Sequence, residues 1–162
     1  MSDLRVHKTK YINETKRVSF KYDGKNYFGY EGDTLASALL ANGVHLIGRS
    51  FKYHRPRGIM SCGSEEPNAI CQISDKNDLT EPNVRATELE IYDGLEAFSQ
   101  NCWPNVKFDI GGINNLISPL IPAGFYYKTF MWPKSFWKKV YEPLIRISAG
   151  LGKSPTEPDP DI

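Results

Sequence analysis

The sequence predicts an α+β fold, a small sheet wrapped on one short helix and followed by an irregular extension, and three observations lead to it. Val18, Phe20 and Tyr22 alternate with Ser19 and Lys21 ahead of an Asp23-Gly24 turn and a returning Asn26-Tyr-Phe-Gly-Tyr30. This is the period-two pattern of a hairpin with one buried face. Leu35-Ala-Ser-Ala-Leu-Leu-Ala41 then stacks Leu35 on Leu39 and Ala36 on Leu40, one helical turn apart. Beyond residue 95 periodicity fades, and aromatics, prolines and glycines dominate.

Taken in order, residues 1–17 are polar and carry Lys8, Lys10, Lys16 and Arg17, the composition of a flexible arm. After the hairpin, Gly32-Asp33-Thr34 supplies a capping residue for the helix and Asn42-Gly43 stops it, glycine taking the left-handed cap at little cost. Residues 44–47 read as a strand, 48–67 as a long basic loop, 68–73 as another strand, and the alternating 87–92 as the strand that completes the sheet before Asp93-Gly94. Hairpin, helix, strand, long loop, strand is the order of a β-grasp domain, the fold of plant-type ferredoxins, here expected over residues 18–95. Residues 96–152 form the aromatic and Pro-rich extension, with short helices over 134–149 interrupted at Glu142-Pro143. Its aromatics are broken up by Pro104, Pro119, Pro122, Pro133 and Pro143, which predicts a segment that docks on another surface through Trp103, Phe125, Tyr126, Tyr127, Phe130 and Trp132. The alternative is that they cover the sheet. Residues 153–162 are a Pro/Asp-rich linker.

The basic loop carries Arg49, Lys52, His54, Arg55 and Arg57, interleaved with Phe51 and Tyr53. Cations this dense repel one another unless anions neutralise them, so the run expects a partner. That partner is an anionic cofactor or subunit surface, for which the guanidinium fork is well shaped, or else Glu65, Glu66 and other carboxylates of the fold.

Net charge is +1 and 24% of residues are charged, which gives no global reason to bind nucleic acid or an anionic membrane. No apolar window reaches the length of a membrane span, and the first ten residues lack a signal-peptide centre, so a cytoplasmic protein is expected. Three cysteines without framework spacing read as reduced thiols. A plant-type [2Fe-2S] site needs Cys-x4-Cys-x2-Cys and a fourth cysteine. Counted from Cys62, the next two ligands fall on Pro67 and Ile70, with Cys71 out of step, so no metal site is expected. His7, His45 and His54 have no ligand spacing, and Gly150-Leu-Gly-Lys-Ser-Pro155 completes neither common phosphate-binding pattern.

Long motifs carry a family resemblance. Arg49-Ser-Phe-Lys-Tyr-His-Arg-Pro-Arg-Gly58, Gly63-Ser-Glu-Glu-Pro-Asn-Ala69, Gly32-Asp-Thr-Leu-Ala-Ser-Ala-Leu-Leu-Ala-Asn-Gly43 and Pro122-Ala-Gly-Phe-Tyr-Tyr-Lys-Thr-Phe-Met-Trp-Pro133 resemble the amino-terminal region of the α subunit of heterotetrameric sarcosine oxidase, over about residues 17–161. The resemblance implies a ferredoxin-like domain without iron, within a flavoenzyme that oxidatively demethylates sarcosine. It implies FAD, FMN, NAD and tetrahydrofolate for the whole complex, none held by these 162 residues alone, and as partners the remaining α-subunit domains and the other subunits. The residues of the basic loop then become cofactor or interface contacts, no residue is assigned a catalytic role, and 153–162 leads to a nucleotide-binding domain outside the sequence. Two other readings stay open: a small [2Fe-2S] electron carrier, or a nucleic-acid module that stacks bases on Phe51 and Tyr53.

Overall fold

A computed structural model describes residues 4–5, 10–74, 80–120, 132–149 and 152. Its centre is a five-stranded mixed sheet in the order β2-β1-β7-β5-β6. Strands β1 (Asn13–Tyr22) and β2 (Lys25–Glu31) form the antiparallel hairpin. Asp23 and Gly24 both take positive φ, 47° and 73°, as the two-residue turn that matches strand twist demands. The apolar alternation is fulfilled, since Val18, Phe20 and Tyr22 are buried and their neighbours exposed.

Helix α1 (Leu35–Ala41) packs on this face through Leu35, Ala38 and Leu39. The Thr34 side chain accepts from the Ser37 N–H at 3.2 Å, and Gly43 closes the helix at φ 74° with its N–H on the Leu40 carbonyl. Asp33, fully buried, accepts from the Tyr30 N–H, the Ser37 hydroxyl and the Arg5 guanidinium, so a residue of the amino-terminal arm reaches into the fold.

Three sheet elements differ from the sequence reading. Residues 44–47 are not a strand: the Val44 N–H is taken by the Leu39 carbonyl, and pairing starts only at β3 (Gly48–Arg49), which forms a separate ribbon with β4 (Pro56–Arg57). Strand β6 (Thr80–Arg85) was not foreseen, because Pro82 and Asn83 obscure it; it pairs with β5 (Ile70–Ser74) at the sheet edge, where a proline is tolerated. The alternating 87–92 supplies a turn and one bridge, Thr34 to Glu90, and the closing strand is β7 (Glu96–Ser99). That strand lies parallel to β1 and antiparallel to β5, so the sheet extends past residue 95. The arm likewise gives way to β1 at Asn13.

Past β7, a short helix α2 (Ile113–Leu116) lies between single 3-10 turns at Ile110–Gly112 and Ser118–Leu120. A helical run starts with a 3-10 turn, Lys134–Phe136, widens over Trp137–Tyr141 and continues as α3 (Glu142–Ala149). The interruption expected at Pro143 is therefore a widened turn before it, which relieves the clash of the proline ring with the preceding turn. Among the described residues, no helix is long and apolar enough to cross a membrane.

Candidate functional site

The basic loop is turned into the protein. Arg49 donates through Nε to the Val106 carbonyl at 2.9 Å, through Nη1 to the His54 carbonyl at 3.2 Å and through Nη2 to the Lys107 carbonyl at 3.3 Å. The His54 Nδ1 lies 2.7 Å from Asp109 Oδ2, both side chains being largely buried, and Arg55 Nε donates to Asn115 Oδ1 at 2.9 Å. Lys52 Nζ and the Arg55 guanidinium each stand 4.8 Å from the centre of the Tyr53 ring. Arg57, half-buried on β4, has no hydrogen bond or ion pair to its guanidinium among the described residues.

For Arg49, His54 and Arg55 the partners thus come mainly from the extension, at Val106, Lys107, Asp109 and Asn115. Asp109, which the sequence reading missed, organises them: its Oδ1 accepts from the Trp103 and Gly111 N–H groups while Oδ2 faces His54. A Cβ on Gly111 would come within 2.3 Å of the His54 ring, which is why glycine follows Ile110. The available signal was the Asp-Ile-Gly-Gly run after a proline turn, a helix-capping pattern. Acting as staples, these bonds hold the extension against the β3–β4 ribbon.

What they present is apolar. Trp103 (68% exposed), Phe108, Ile110, Ile113, Leu116 (79% exposed) and Ile117 lie bare along 103–117. Trp132, at 83% exposed, is bare as well. The alternative that the aromatics cover the sheet is not met by Trp103, Phe108 or Trp132. The other residues of the expected docking set, Phe125, Tyr126, Tyr127 and Phe130, lie outside the described residues.

The loop after β4 closes on Glu66, which is 1% exposed. Its Oε2 accepts from the Met60 N–H at 2.7 Å and the Ser61 N–H at 2.5 Å, and Oε1 from the Asn68 N–H at 2.7 Å and the Ala69 N–H at 3.1 Å. Burial opposes the charge, but these donors outweigh it and hold the pKa of Glu66 below the ordinary carboxylate value.

The cysteines are dispersed. Cys62 is exposed, Cys71 is buried in the core beside Tyr22, and Cys102 is half-buried. The Ser99 hydroxyl donates to Asp23 Oδ1 at 3.0 Å and has one proton, so at 3.3 Å the Cys102 thiol is the donor to Ser99. Burial pushes the Cys71 thiol up to about 12, and burial raises Cys102 too. An open groove of roughly 860 Å³ between the hairpin turn, the end of α1 and residues 105–107 has Lys25, Tyr27, His45 and Lys107 on its walls. Among the described residues no three His, Cys, Asp or Glu side chains converge to hold a metal, in the groove or elsewhere.

A family model described as a 2Fe-2S iron-sulfur cluster binding domain matches residues 15–102. The chain belongs to the 2Fe-2S iron-sulfur cluster binding domain family. Within that family the chain is a homologue of sarcosine oxidase subunit alpha. It is 57% identical to the protein of that name from Rhizobium meliloti (strain 1021) over 161 residues, 99% of this chain and 16% of that one. The sarcosine oxidase subunit alpha of Corynebacterium sp. (strain U-96) is 41% identical over 88 residues, 53% of this chain and 9% of that one. A solved L-proline dehydrogenase from P. horikoshii matches 52% of this chain and 16% of its own at 27% identity, with a TM-score of 0.41. The chain therefore spans a small part of the length of its curated relatives.

The family description implies an iron-sulfur cluster, and the donors present do not fit one. Such a cluster needs four thiolates, or thiolates with imidazoles, converging on two irons. Here one cysteine faces solvent, one is locked in the sheet core, one is held by Ser99, and a carboxylate fills the loop in which the count from Cys62 would place the ligands.

Proposed function

We propose that this chain is the amino-terminal module of a sarcosine oxidase α-subunit-like protein, a β-grasp scaffold that docks the rest of a multi-subunit flavoenzyme rather than catalysing alone. The complex would convert sarcosine, tetrahydrofolate and O2 to glycine, methylene-tetrahydrofolate and H2O2, with FAD, FMN and NAD bound by other parts. One observation carries the reading: 57% identity to a sarcosine oxidase subunit alpha along 99% of this chain, against 16% of the relative. The sheet order, with a parallel β1–β7 pair at the centre and α1 across one face, supports the β-grasp assignment. The bare ridge of Trp103, Phe108, Ile113 and Leu116 supports docking, since apolar patches of this kind mark interaction surfaces. On this reading Arg57 and the Lys52–Tyr53–Arg55 stack meet an anionic group of the neighbouring domain or its cofactor.

The test is reconstitution. Mixed with the separately produced remainder of the α subunit and its partner subunits, the chain should form a stoichiometric species that gains sarcosine-dependent peroxide production. A chain that stays monomeric beside a folded remainder would refute the scaffold role. A second reading, a small electron carrier, draws on the family description alone; stoichiometric iron and visible absorption after anaerobic purification would establish it. A nucleic-acid module has less support, because Arg49, His54 and Arg55 are spent on protein acceptors.

A further inference from the structure

The loop over residues 58–69 is shaped around a negative charge. Four backbone N–H groups, from Met60, Ser61, Asn68 and Ala69, converge on two carboxylate oxygens, and the Ser61 hydroxyl lies 3.3 Å from Oε2. Successive N–H groups pointing into one concavity form an anion-binding nest, whatever the anion. The surrounding chain holds that concavity open from outside. The Gly63 carbonyl accepts from the Thr87 hydroxyl at 2.9 Å, the Ala69 carbonyl from the Ala86 N–H at 2.8 Å, and Gly58 passes so close to the His45 carbonyl that a Cβ would stand 2.6 Å from it. The Glu66 carboxylate is the group that receives these donors, and no ion pair to it is found among the described residues. The role it fills is that of a guest rather than of a salt-bridge partner.

We propose that residues 60–69 form a receptor for one carboxylate, and that Glu66 is a tethered ligand standing in for the anionic metal cluster that gives the family its description. The inference rests on family membership and on this geometry, and does not depend on the oxidase reading. Its consequence is that the loop is organised without metal, and that removing the tethered carboxylate leaves a vacant site sized for formate or acetate. An iron-sulfur cluster with its thiolate ligands is a net anion stabilised by hydrogen bonds to its sulfurs, so a carboxylate accepting the same kind of donors satisfies the backbone equally.

The experiment compares thermal unfolding of the full chain as wild type, Glu66→Ala, Glu66→Gln and a packing control, Ile73→Ala, each in sodium formate and in sodium chloride of matched ionic strength. Glu66→Ala should lose roughly 10 °C in midpoint, and formate should restore it with a rise that grows with the logarithm of formate concentration, as binding to the folded state requires. Formate should leave the wild type, Glu66→Gln and Ile73→Ala at their chloride midpoints. Glu66→Gln should be destabilised without rescue, because its amide occupies the concavity and turns a donor towards donors. If Glu66→Ala does not fold in chloride, the readout becomes recovery of folded protein on refolding in formate. A folded Glu66→Ala indifferent to formate, refolding that formate does not improve, formate acting equally on Ile73→Ala, or Glu66→Gln as stable as wild type would each overturn the proposal.

Discussion

The His54 ring and the Asp109 carboxylate meet at 2.7 Å across 55 residues of sequence, joining the basic loop to the turn in the middle of the apolar ridge. His54 adopts φ 52°, a left-handed backbone that a side chain seldom takes without compensation, and the contact with Asp109 supplies it. Both side chains are largely buried, so breaking the pair exposes neither to full solvation.

Replacing either partner is therefore expected to destabilise the chain by about 1–3 kcal/mol. In a double-mutant cycle of His54→Ala and Asp109→Ala, the two losses should couple by about 1 kcal/mol or more. Denaturant unfolding of the four proteins measures this, and additive losses would mean that the two groups are neighbours without interacting.

Glu66 gives a pH dependence of definite sign. Its folded pKa is depressed below that of the unfolded chain, about 4.3 for an ordinary glutamate. Its contribution is complete above that value and is lost as pH falls through the folded pKa. The midpoint of wild-type unfolding should drop more steeply below about pH 4.3 than that of Glu66→Gln, which has no proton to take up. Parallel curves would remove Glu66 from the account of acid stability.

The ridge makes a prediction that separates binding from folding. Ile113→Ser combined with Leu116→Ser changes exposed side chains, so the unfolding midpoint should move by less than the equivalent of about 0.5 kcal/mol. On the proposed scaffold role, association with the remaining domains of an α subunit should weaken by about tenfold or more, as loss of buried apolar anchors does. Titration of labelled remainder against both proteins reads the difference.

The thiols should fall in a fixed order towards an alkylating reagent at neutral pH. Cys62, exposed, reacts first; Cys102 lags because it is half-buried and burial raises its pKa; Cys71, pushed up to about 12, reacts only on unfolding. Mass spectrometry of timed samples tests the order, and a Cys102 that reacts as fast as Cys62 would contradict it.

Where local chemistry dictates structure, the sequence was readable. The Asp23-Gly24 turn, the Thr34 cap and the Gly43 stop each follow from one or two residues whose backbone options are few. The choice of closing strand was not readable, because residues 87–92 alternate as well as β7 does. What separates them is the slot between β1 and β5, and that slot is filled at Ala97. The basic loop misled for a similar reason. Arg49, His54 and Arg55 announce that they need acceptors, but acceptors 50 to 60 residues downstream, two of them backbone carbonyls, leave no mark in local charge patterning. Glu66 looked like a counter-ion for those cations, and its backbone donors, being common to every residue, carry no sequence signal.

The placement of β7 has a bearing on how the chain comes off the ribosome. The hairpin and α1 emerge early, but the strand that seams them to β5 and β6 is the last of the sheet to be synthesised. Until Ser99 is available, the nascent polypeptide holds two half-sheets with open edges, the condition in which strands pair with the wrong neighbour. The sheet can therefore be completed only after β7 has been made, and a version cut short at Gly94 would lack its keystone rather than a trimmed margin.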